Sequence, residues 1–256
     1  MESSSGAQKL MDEDLPPAFY IKKYGNWRTD SINLLHFPYT AWNLSYIIIG
    51  ACLSNVVHIS RLVFLLLAFF FGLGICAHAL DELKGHPLQT CFSDRNLKIA
   101  AIVSILIAIG LGILEIQKVG LGLIIFILIG IFLTFAYNLE LFNGYFHTEI
   151  GFALSWGAFP ILTSFYVQAH TLSLGAIVVA IAITIFSIIQ RRLSTPARFL
   201  RRKITKIKVS GKNNLGEDIY LDQNFFLHPL ESALNLLSWS FVILSLGLLI
   251  LKINNS

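Results

Sequence analysis

The sequence predicts an all-α fold, a polytopic membrane bundle of about seven transmembrane helices. Three observations predict it. Of the 256 residues, 55% are apolar and only 13% are charged. The apolar residues fall into runs close to the roughly 20 residues that a helix needs to cross a bilayer. Lys and Arg are concentrated in alternate loops, as they are in membrane proteins. This composition excludes a water-soluble enzyme, a nucleic-acid-binding protein and a disordered tail.

The apolar runs follow a polar head that ends near Leu35. Each run is predicted to be a helix, because a helix satisfies its own backbone hydrogen bonds in lipid. The strands of a transmembrane barrel would be shorter and would alternate in polarity. Asn43 lies inside the first run, where an interhelical hydrogen bond would offset its cost. The predicted spans are 38–57, 62–80, 97–114, 119–137, 150–168, 172–189 and 233–251.

The distribution of basic residues predicts the orientation of the chain. With the N-terminus in the cytoplasm, 16 of the 19 Lys and Arg residues lie on one side, Lys9 and Lys23 among them. Arg61, Lys118 and Lys252 lie on the other side. The acidic, polar start lacks the pattern of a cleaved signal peptide, so we expect the internal spans to direct insertion. We therefore predict an integral protein of the plasma membrane with its C-terminus opposite the cytoplasm.

The predicted spans divide the chain into four segments. They are a cytoplasmic N-terminal segment (1–35), a bundle of six spans (36–192), a basic cytoplasmic loop (193–231) and a last span with its tail (232–256). In the basic loop, Ser194 or Thr195 is predicted to cap a new helix with Pro196 in its first turn. We expect this helix to lie in the membrane interface, its cations facing anionic lipid headgroups along residues 198–208. The sequence GKNNLG then predicts the turn of a small hairpin.

The end of the second span carries polar residues that a purely structural helix would avoid. His78, Asp81 and Glu82 share one helical face at the predicted cytoplasmic mouth of the bundle. A His with two carboxylates is costly there unless it is hydrated, paired or bound to a cation. Carboxylate oxygens suit Mg²⁺, which fills its shell with substrate phosphates, so Asp81 and Glu82 are predicted metal ligands. The alternative is an ordinary helix end, paired with Lys84.

Two other helix ends are predicted at the same cytoplasmic mouth of the bundle. Tyr137 and Asn138 end the fourth span, before a polar loop that contains no Lys or Arg. Arg191, Arg192 and Arg198 follow the sixth span. Arginines that face acidic and amide-bearing helix ends would suit the recognition of a diphosphate, because the guanidinium group binds phosphate oxygens through paired hydrogen bonds.

Three stretches resemble the UbiA superfamily of intramembrane prenyltransferases. They are LHFPYTAWNLSYIIIG, AHALDELKGHPL and YNLELFNGYFHTEIGFALSWGAFPIL. The first is similar to the family's polar, Pro-containing first span, and the second occupies the place of its first aspartate-rich motif. The third resembles the end of span four and the start of span five. The likeness covers about residues 35–192. It implies an enzyme that holds a polyprenyl diphosphate through Mg²⁺, ionises it and alkylates an acceptor inside a lipid-open helical bundle.

The resemblance also implies a role for each candidate residue. Asp81 and Glu82 would be catalytic and would hold one Mg²⁺. The family's second aspartate-rich motif is replaced here by QRRLSTPARFLRR, whose arginines would take over charge neutralisation. The residues expected to bind the isoprenoid diphosphate, or another lipid diphosphate, are His78, Tyr137, Asn138, Asn43, Arg191, Arg192 and Arg198.

The replaced second motif leaves a different class of function open. A protein that kept the UbiA fold and lost its chemistry would be a non-catalytic lipid-binding or scaffold protein. A small transporter is less favoured, since no charged residue is predicted near the middle of a span and no inverted repeat is evident. Convergence of the candidate residues on one cavity would favour the enzyme, and separate surfaces would favour the scaffold.

Overall fold

The structure, a computed structural model, describes residues 16–22 and 25–254. Lys9, Lys23 and the first 15 residues of the predicted N-terminal segment lie outside this part of the chain. The described part is dominated by helices, which confirms the all-α prediction. In chain order the helices are α1 (Trp27–Leu34), α2 (Phe37–Cys52), α3 (Ile59–Leu83), α4 (Asp94–Val119), α5 (Leu123–Asn138), α6 (Leu141–Gly144), α7 (Glu149–Ala169), α8 (Leu174–Lys203) and α9 (Gln223–Asn254).

Five of the described helices are long and apolar enough to cross a membrane: α3, α4, α7, α8 and α9. They make the chain an integral membrane protein. Each of the other two predicted spans also contains a helix, but α2 and α5 have only 16 residues each. At about 1.5 Å per residue, such a helix is some 24 Å long, a little short of the hydrocarbon thickness of about 30 Å.

Short polar side chains start several of these helices. Ser93 accepts a hydrogen bond from the backbone N–H of Asn96 at the start of α4. Thr148 and Ser173 cap α7 and α8 in the same way, three residues before their own donors. Each hydroxyl satisfies a backbone N–H that has no partner within its helix. Each of these three helices therefore begins at a defined residue.

Helix α2 lies at the centre of the bundle, packed against α7 and α9. The Trp42 ring stacks on Phe241 of α9, with 5.4 Å between ring centroids. Toward α7, the Ser164 hydroxyl donates to the Ile47 carbonyl oxygen at 2.5 Å. The two backbones approach so closely that a Cβ atom on Gly50 would lie 2.6 Å from the Ile161 carbonyl oxygen. This contact sets the position of α2, and with it one wall of the site described below.

Two of the long helices contain a π-helical stretch. The wider turns run over Phe70–Ala77 in α3 and Leu154–Ala158 in α7. π-helical turns in α-helices are frequent at functional sites, because they displace side chains from the regular helical faces. Leu73 and Trp156 lie in these two stretches and pack in the same cluster.

The loop after the sixth predicted span differs from its prediction. Helix α8 runs through Pro196 without a break, so the predicted new helix capped by Ser194 or Thr195 is wrong. The Ser194 hydroxyl instead donates to the Arg191 carbonyl oxygen, one turn earlier. The predicted segment boundary at 192–193 falls inside α8. Proline removes one backbone hydrogen bond, and the packing of Ala197 against Leu227 of α9 offsets this loss.

The hairpin that the sequence predicts is present. Strands β1 (Lys208–Lys212) and β2 (Asp218–Asp222) pair antiparallel, with Ser210 opposite Tyr220. Asn213 closes the turn, since its side-chain oxygen accepts hydrogen bonds from the N–H groups of Leu215 and Glu217. The hairpin thus connects the ends of α8 and α9.

The close approach of α2 and α7 can be tested at Gly50. Gly50→Ala would place a methyl group against the Ile161 carbonyl, and overpacking of this kind costs about 1–3 kcal/mol. We expect a lower melting temperature in detergent. Gly110→Ala is the matched control, because a Cβ atom there meets no atom of the described chain within 4 Å. Equal melting temperatures for the two variants would contradict the close contact.

Candidate functional site

A cavity of about 370 Å³ opens at the end of the bundle where α3, α5 and α8 carry their polar residues. Helix ends that are far apart in sequence form its walls. The predicted site residues that line it are Asn43, His78, Asp81, Glu82, Tyr137, Asn138, Arg191 and Arg198. The convergence that would favour an enzyme over separate surface patches is therefore present.

One wall of the cavity is a stripe of polar residues on α8. Gln190, Ser194, Arg198 and Arg202 recur every four residues and so share one helical face. Sequence reasoning missed Arg202, because the predicted break at Pro196 turned this part of the chain toward the lipid. Continuity of α8 brings Arg198 and Arg202 to the cavity and makes this wall strongly cationic.

Arg191 is held in place by aromatic rings. Its guanidinium group donates a hydrogen bond to the Tyr137 hydroxyl. It also lies 5.9 Å from the centroid of the Tyr137 ring and 5.6 Å from that of Phe152. A guanidinium over aromatic faces is favourable and is restricted in its rotamers. Arg191 is thus oriented before any ligand arrives.

Arg192 lies outside the cavity, although it was predicted to bind the substrate. Its side chain is 70% exposed. Two of its nitrogens donate to the Glu149 carboxylate at 2.9 and 3.1 Å. This pair joins α8 to the start of α7. Adjacent residues on a helix point about 100° apart, and here Arg191 faces the cavity while Arg192 faces Glu149.

The described N-terminal segment covers part of the cavity mouth. Arg202 donates to the Pro17 carbonyl oxygen at 3.1 Å, and Tyr20 lines the cavity. Burial raises the pKa of Tyr20, so its hydroxyl stays protonated. Ala18 and Ile21 pack against Leu88 on the opposite rim. No sequence pattern indicated these contacts, because 185 residues separate the Arg202 and Pro17 partners.

Glu82 holds a loop in place. Its side chain is buried, and one carboxylate oxygen accepts a hydrogen bond from the Leu88 N–H at 3.0 Å. The other oxygen accepts from the N–H and the hydroxyl of Thr90, at 3.0 and 2.9 Å. Nearby, Asp30 accepts a hydrogen bond from the Cys91 N–H at 2.8 Å. The two carboxylates fix the loop that carries Leu88 into the cavity wall.

The predicted pair of Mg²⁺ ligands does not fit this arrangement. Both oxygens of Glu82 are used by its loop, which leaves Asp81 as the one available member of the pair. Glu140 also lines the cavity, but its carboxylate pairs with Lys84 at 2.9 Å, and this hydrogen bond lowers the pKa of Glu140. Among the described residues, no group of three or more His, Cys, Asp or Glu side chains is placed to hold a metal ion.

Two imidazoles form part of the cavity floor. The rings of His36 and His78 lie 4.1 Å apart between centroids. The Nδ1 atom of His78 is 3.0 Å from the Gly74 carbonyl oxygen, which leaves its Nε2 atom toward the cavity. Burial, together with the neighbouring His78 and two arginines, lowers the pKa of His36 well below its usual range. His36 also has a left-handed backbone, with φ of 46°, a strained conformation that is frequent at functional sites.

An apolar groove adjoins the polar cavity. It runs between α3, α4, α5 and α7 and is lined by residues such as Phe69, Ile127 and Phe159. Leu73 and Trp156, the residues on the two π-helical stretches, line both the groove and the cavity. The apolar groove and the cationic cavity are therefore neighbours that share these two side chains.

Comparison of the chain with protein-family models, with curated proteins and with solved structures finds no match.

The loop-holding role of Glu82 predicts a loss of stability on substitution. In Glu82→Gln, an amide NH₂ group would face backbone N–H donors, and an unsatisfied buried donor costs about 1–3 kcal/mol. We expect a lower melting temperature and faster proteolysis between residues 84 and 93. Glu140→Gln is the control, because it breaks an exposed ion pair worth less than about 1 kcal/mol. A Glu82→Gln protein as stable as this control would contradict the role.

Proposed function

We propose that the protein is a UbiA-like membrane prenyltransferase, or a related enzyme, that binds an isoprenoid diphosphate. The observation that carries this proposal is that the cationic cavity and the apolar groove lie side by side and share Leu73 and Trp156. A diphosphate headgroup matches the arginines, and an isoprenoid chain matches the groove. The likeness of residues 35–192 to the UbiA superfamily supports the same substrate class.

Charge neutralisation by arginine is the chemical core of the proposal. Arg191, Arg198 and Arg202 would donate charge-assisted hydrogen bonds to the diphosphate. As the bond between the prenyl carbon and the diphosphate oxygen breaks, negative charge grows on the leaving group. Fixed cations in a site of low dielectric constant stabilise that charge, and Arg191 is already held by its aromatic neighbours. Tyr137 would act mainly through Arg191, while Asn138 and His78 would contact the substrate.

The number of spans and their orientation complete the proposal. We propose seven spans, with α2 and α5 crossing as the two short helices, an N-terminus in the cytoplasm and a C-terminus on the opposite side of the plasma membrane. The cationic mouth would then face the cytoplasm. Lys203, Lys206 and Lys208 are exposed there, and we propose that they contact anionic lipid headgroups.

A second candidate is a non-catalytic lipid-binding or scaffold protein. The specific observation that favours it is the use of both Glu82 oxygens within the chain, which removes a carboxylate from the place of the family's first acidic motif. Such a protein would bind the diphosphate lipid and release it unchanged. Incubation with labelled geranylgeranyl diphosphate and total membrane lipid separates the two, since the enzyme alone would release free diphosphate.

Binding of the diphosphate can be tested with two neighbouring arginines. Geranylgeranyl diphosphate is titrated against the purified protein, with geranylgeraniol as the ligand that lacks the diphosphate. A hydrogen bond to a charged group contributes about 1.5–3 kcal/mol, so Arg191→Gln is expected to weaken binding roughly tenfold or more. Arg192→Gln, next in sequence but outside the cavity, is expected to bind as the unaltered chain does. Equal effects of the two variants, or equal binding of the alcohol, would refute the proposed site.

Metal dependence gives a separate test. Because three arginines line the cavity and Glu82 is engaged by its loop, we expect diphosphate binding to survive treatment with EDTA within about twofold, a change below roughly 0.5 kcal/mol. The titration is repeated after EDTA and again with added Mg²⁺. The opposite result would contradict this expectation: EDTA would then weaken diphosphate binding strongly, and added Mg²⁺ would restore it. If Asp81→Asn also prevented this restoration, the metal would be required for binding.

A further inference from the structure

One wall of the cavity carries buried polar atoms that have no hydrogen-bond partner within the described chain. They are the Oδ1 atom of Asn43, the Oε1 atom of Gln190 and the Nε2 atom of His36. All three residues line the cavity. Asn43 is only 6% exposed and Gln190 only 3% exposed, so neither amide is simply a surface group.

These residues come from two elements that face the cavity. His36 immediately precedes α2, and Asn43 lies within that helix. Gln190 lies on the cavity face of α8, next to Arg191 and eight residues before Arg198, which is about 12 Å along the helix axis. The cavity lining therefore combines cations with neutral amides and an imidazole.

A ligand that satisfies these groups must match their chemistry. A buried amide or imidazole without a partner costs about 1–3 kcal/mol, and this wall contains three such groups. The free oxygens of Asn43 and Gln190 are neutral hydrogen-bond acceptors, and an amide that turns over offers its N–H₂ group instead. The Nε2 atom of His36 donates or accepts according to its tautomer. An anionic group would gain little from lone pairs, whereas a hydroxyl group can donate to one residue and accept from the next.

We propose that this wall, formed by His36, Asn43 and Gln190, binds the neutral head of a lipid alcohol that carries two free hydroxyl groups, as a monoacylglycerol does. The apolar groove that adjoins the cavity at Leu73 and Trp156 is the reason for choosing a lipid over a free polyol. This inference rests on the proposed function in one respect: the lipid alcohol would lie beside the diphosphate, where an acceptor belongs.

The test uses the full chain in phosphatidylcholine nanodiscs and native mass spectrometry. The probes are 1-monooleoylglycerol with two hydroxyls, dioleoylglycerol with one and methyl oleate with none. Since a hydrogen bond contributes roughly 0.5–1.5 kcal/mol, each hydroxyl is expected to increase retention by about threefold to tenfold. Asn43→Leu and Gln190→Met are each expected to make the retention of the three lipids equal, and Gln190→Met is expected to leave the binding of inorganic diphosphate unchanged. Arg198→Gln is expected to weaken diphosphate binding and to leave the retention of the three lipids in the same order.

Thermal unfolding supplies a readout that does not depend on a ligand. Gln190→Met removes an unpartnered buried amide and is expected to keep or raise the melting temperature. Gln168→Met is the matched control, since Gln168 is similarly buried but accepts a hydrogen bond from the His58 N–H at 2.8 Å. Loss of this hydrogen bond is expected to lower the melting temperature. If the two variants are destabilised alike, Gln190 is a partnered structural residue and the inference fails.

Other outcomes separate this inference from the proposed function. Equal retention of the three lipids, or an order that survives in both amide variants, would overturn the lipid-alcohol site even if geranylgeranyl diphosphate binds. A hydroxyl-dependent order without any diphosphate binding would support the site and refute the prenyl diphosphate function. If Asn43→Leu does not fold, Gln190→Met alone decides the result.

Discussion

Burying a charge or an unpaired polar group in a bilayer is costly, and this cost determines how the bundle is arranged. Two ion pairs at the cavity end cross between helices. Arg192 of α8 reaches Glu149 of α7, and Arg201 of α8 reaches Glu231 of α9. Because α8 is tied to a neighbour on each side, it cannot rotate freely about its axis. Its polar stripe therefore stays turned toward the cavity.

The same cost explains why two irregular segments close the cavity. A loop at membrane depth is tolerated only where its backbone groups are satisfied within the protein. Glu82 and Asp30 satisfy the loop that follows α3, and Arg202 satisfies a carbonyl of the N-terminal segment. Three buried or half-buried charged groups are thus used for architecture. What they leave available at the mouth is one carboxylate, Asp81, among several arginines, so the electrostatic character of the cavity is that of an anion-binding site.

Much of the fold could be predicted from the sequence, because its physical causes are local. An apolar run must be helical in lipid, and residues at three-to-four spacing must share a face. The helices followed from the pattern, and eight of the nine predicted site residues line the cavity. The failures lie where distant contacts decide. Pro196 predicts the start of a new helix, but α8 is continuous there, with Ala197 packed against α9. The loop contacts of Glu82 could not be predicted, because only the folded loop brings its N–H donors to the carboxylate. Tyr20 had no local signal at all.

The composition of the cavity lining bears on catalysis and on binding alike. A diphosphate bound by the arginines would share the cavity with the neutral wall, and Leu73 and Trp156 border both the cavity and the apolar groove. Two amphipathic molecules can then meet with their polar ends together and their chains in the same apolar channel. Such an arrangement supplies proximity, which by itself accounts for a large part of many rate enhancements. A scaffold would need a diphosphate site and a groove. It would have no use for a second polar wall with unpaired hydrogen-bonding groups, and this surplus is the feature of the structure that favours two substrates over one bound lipid.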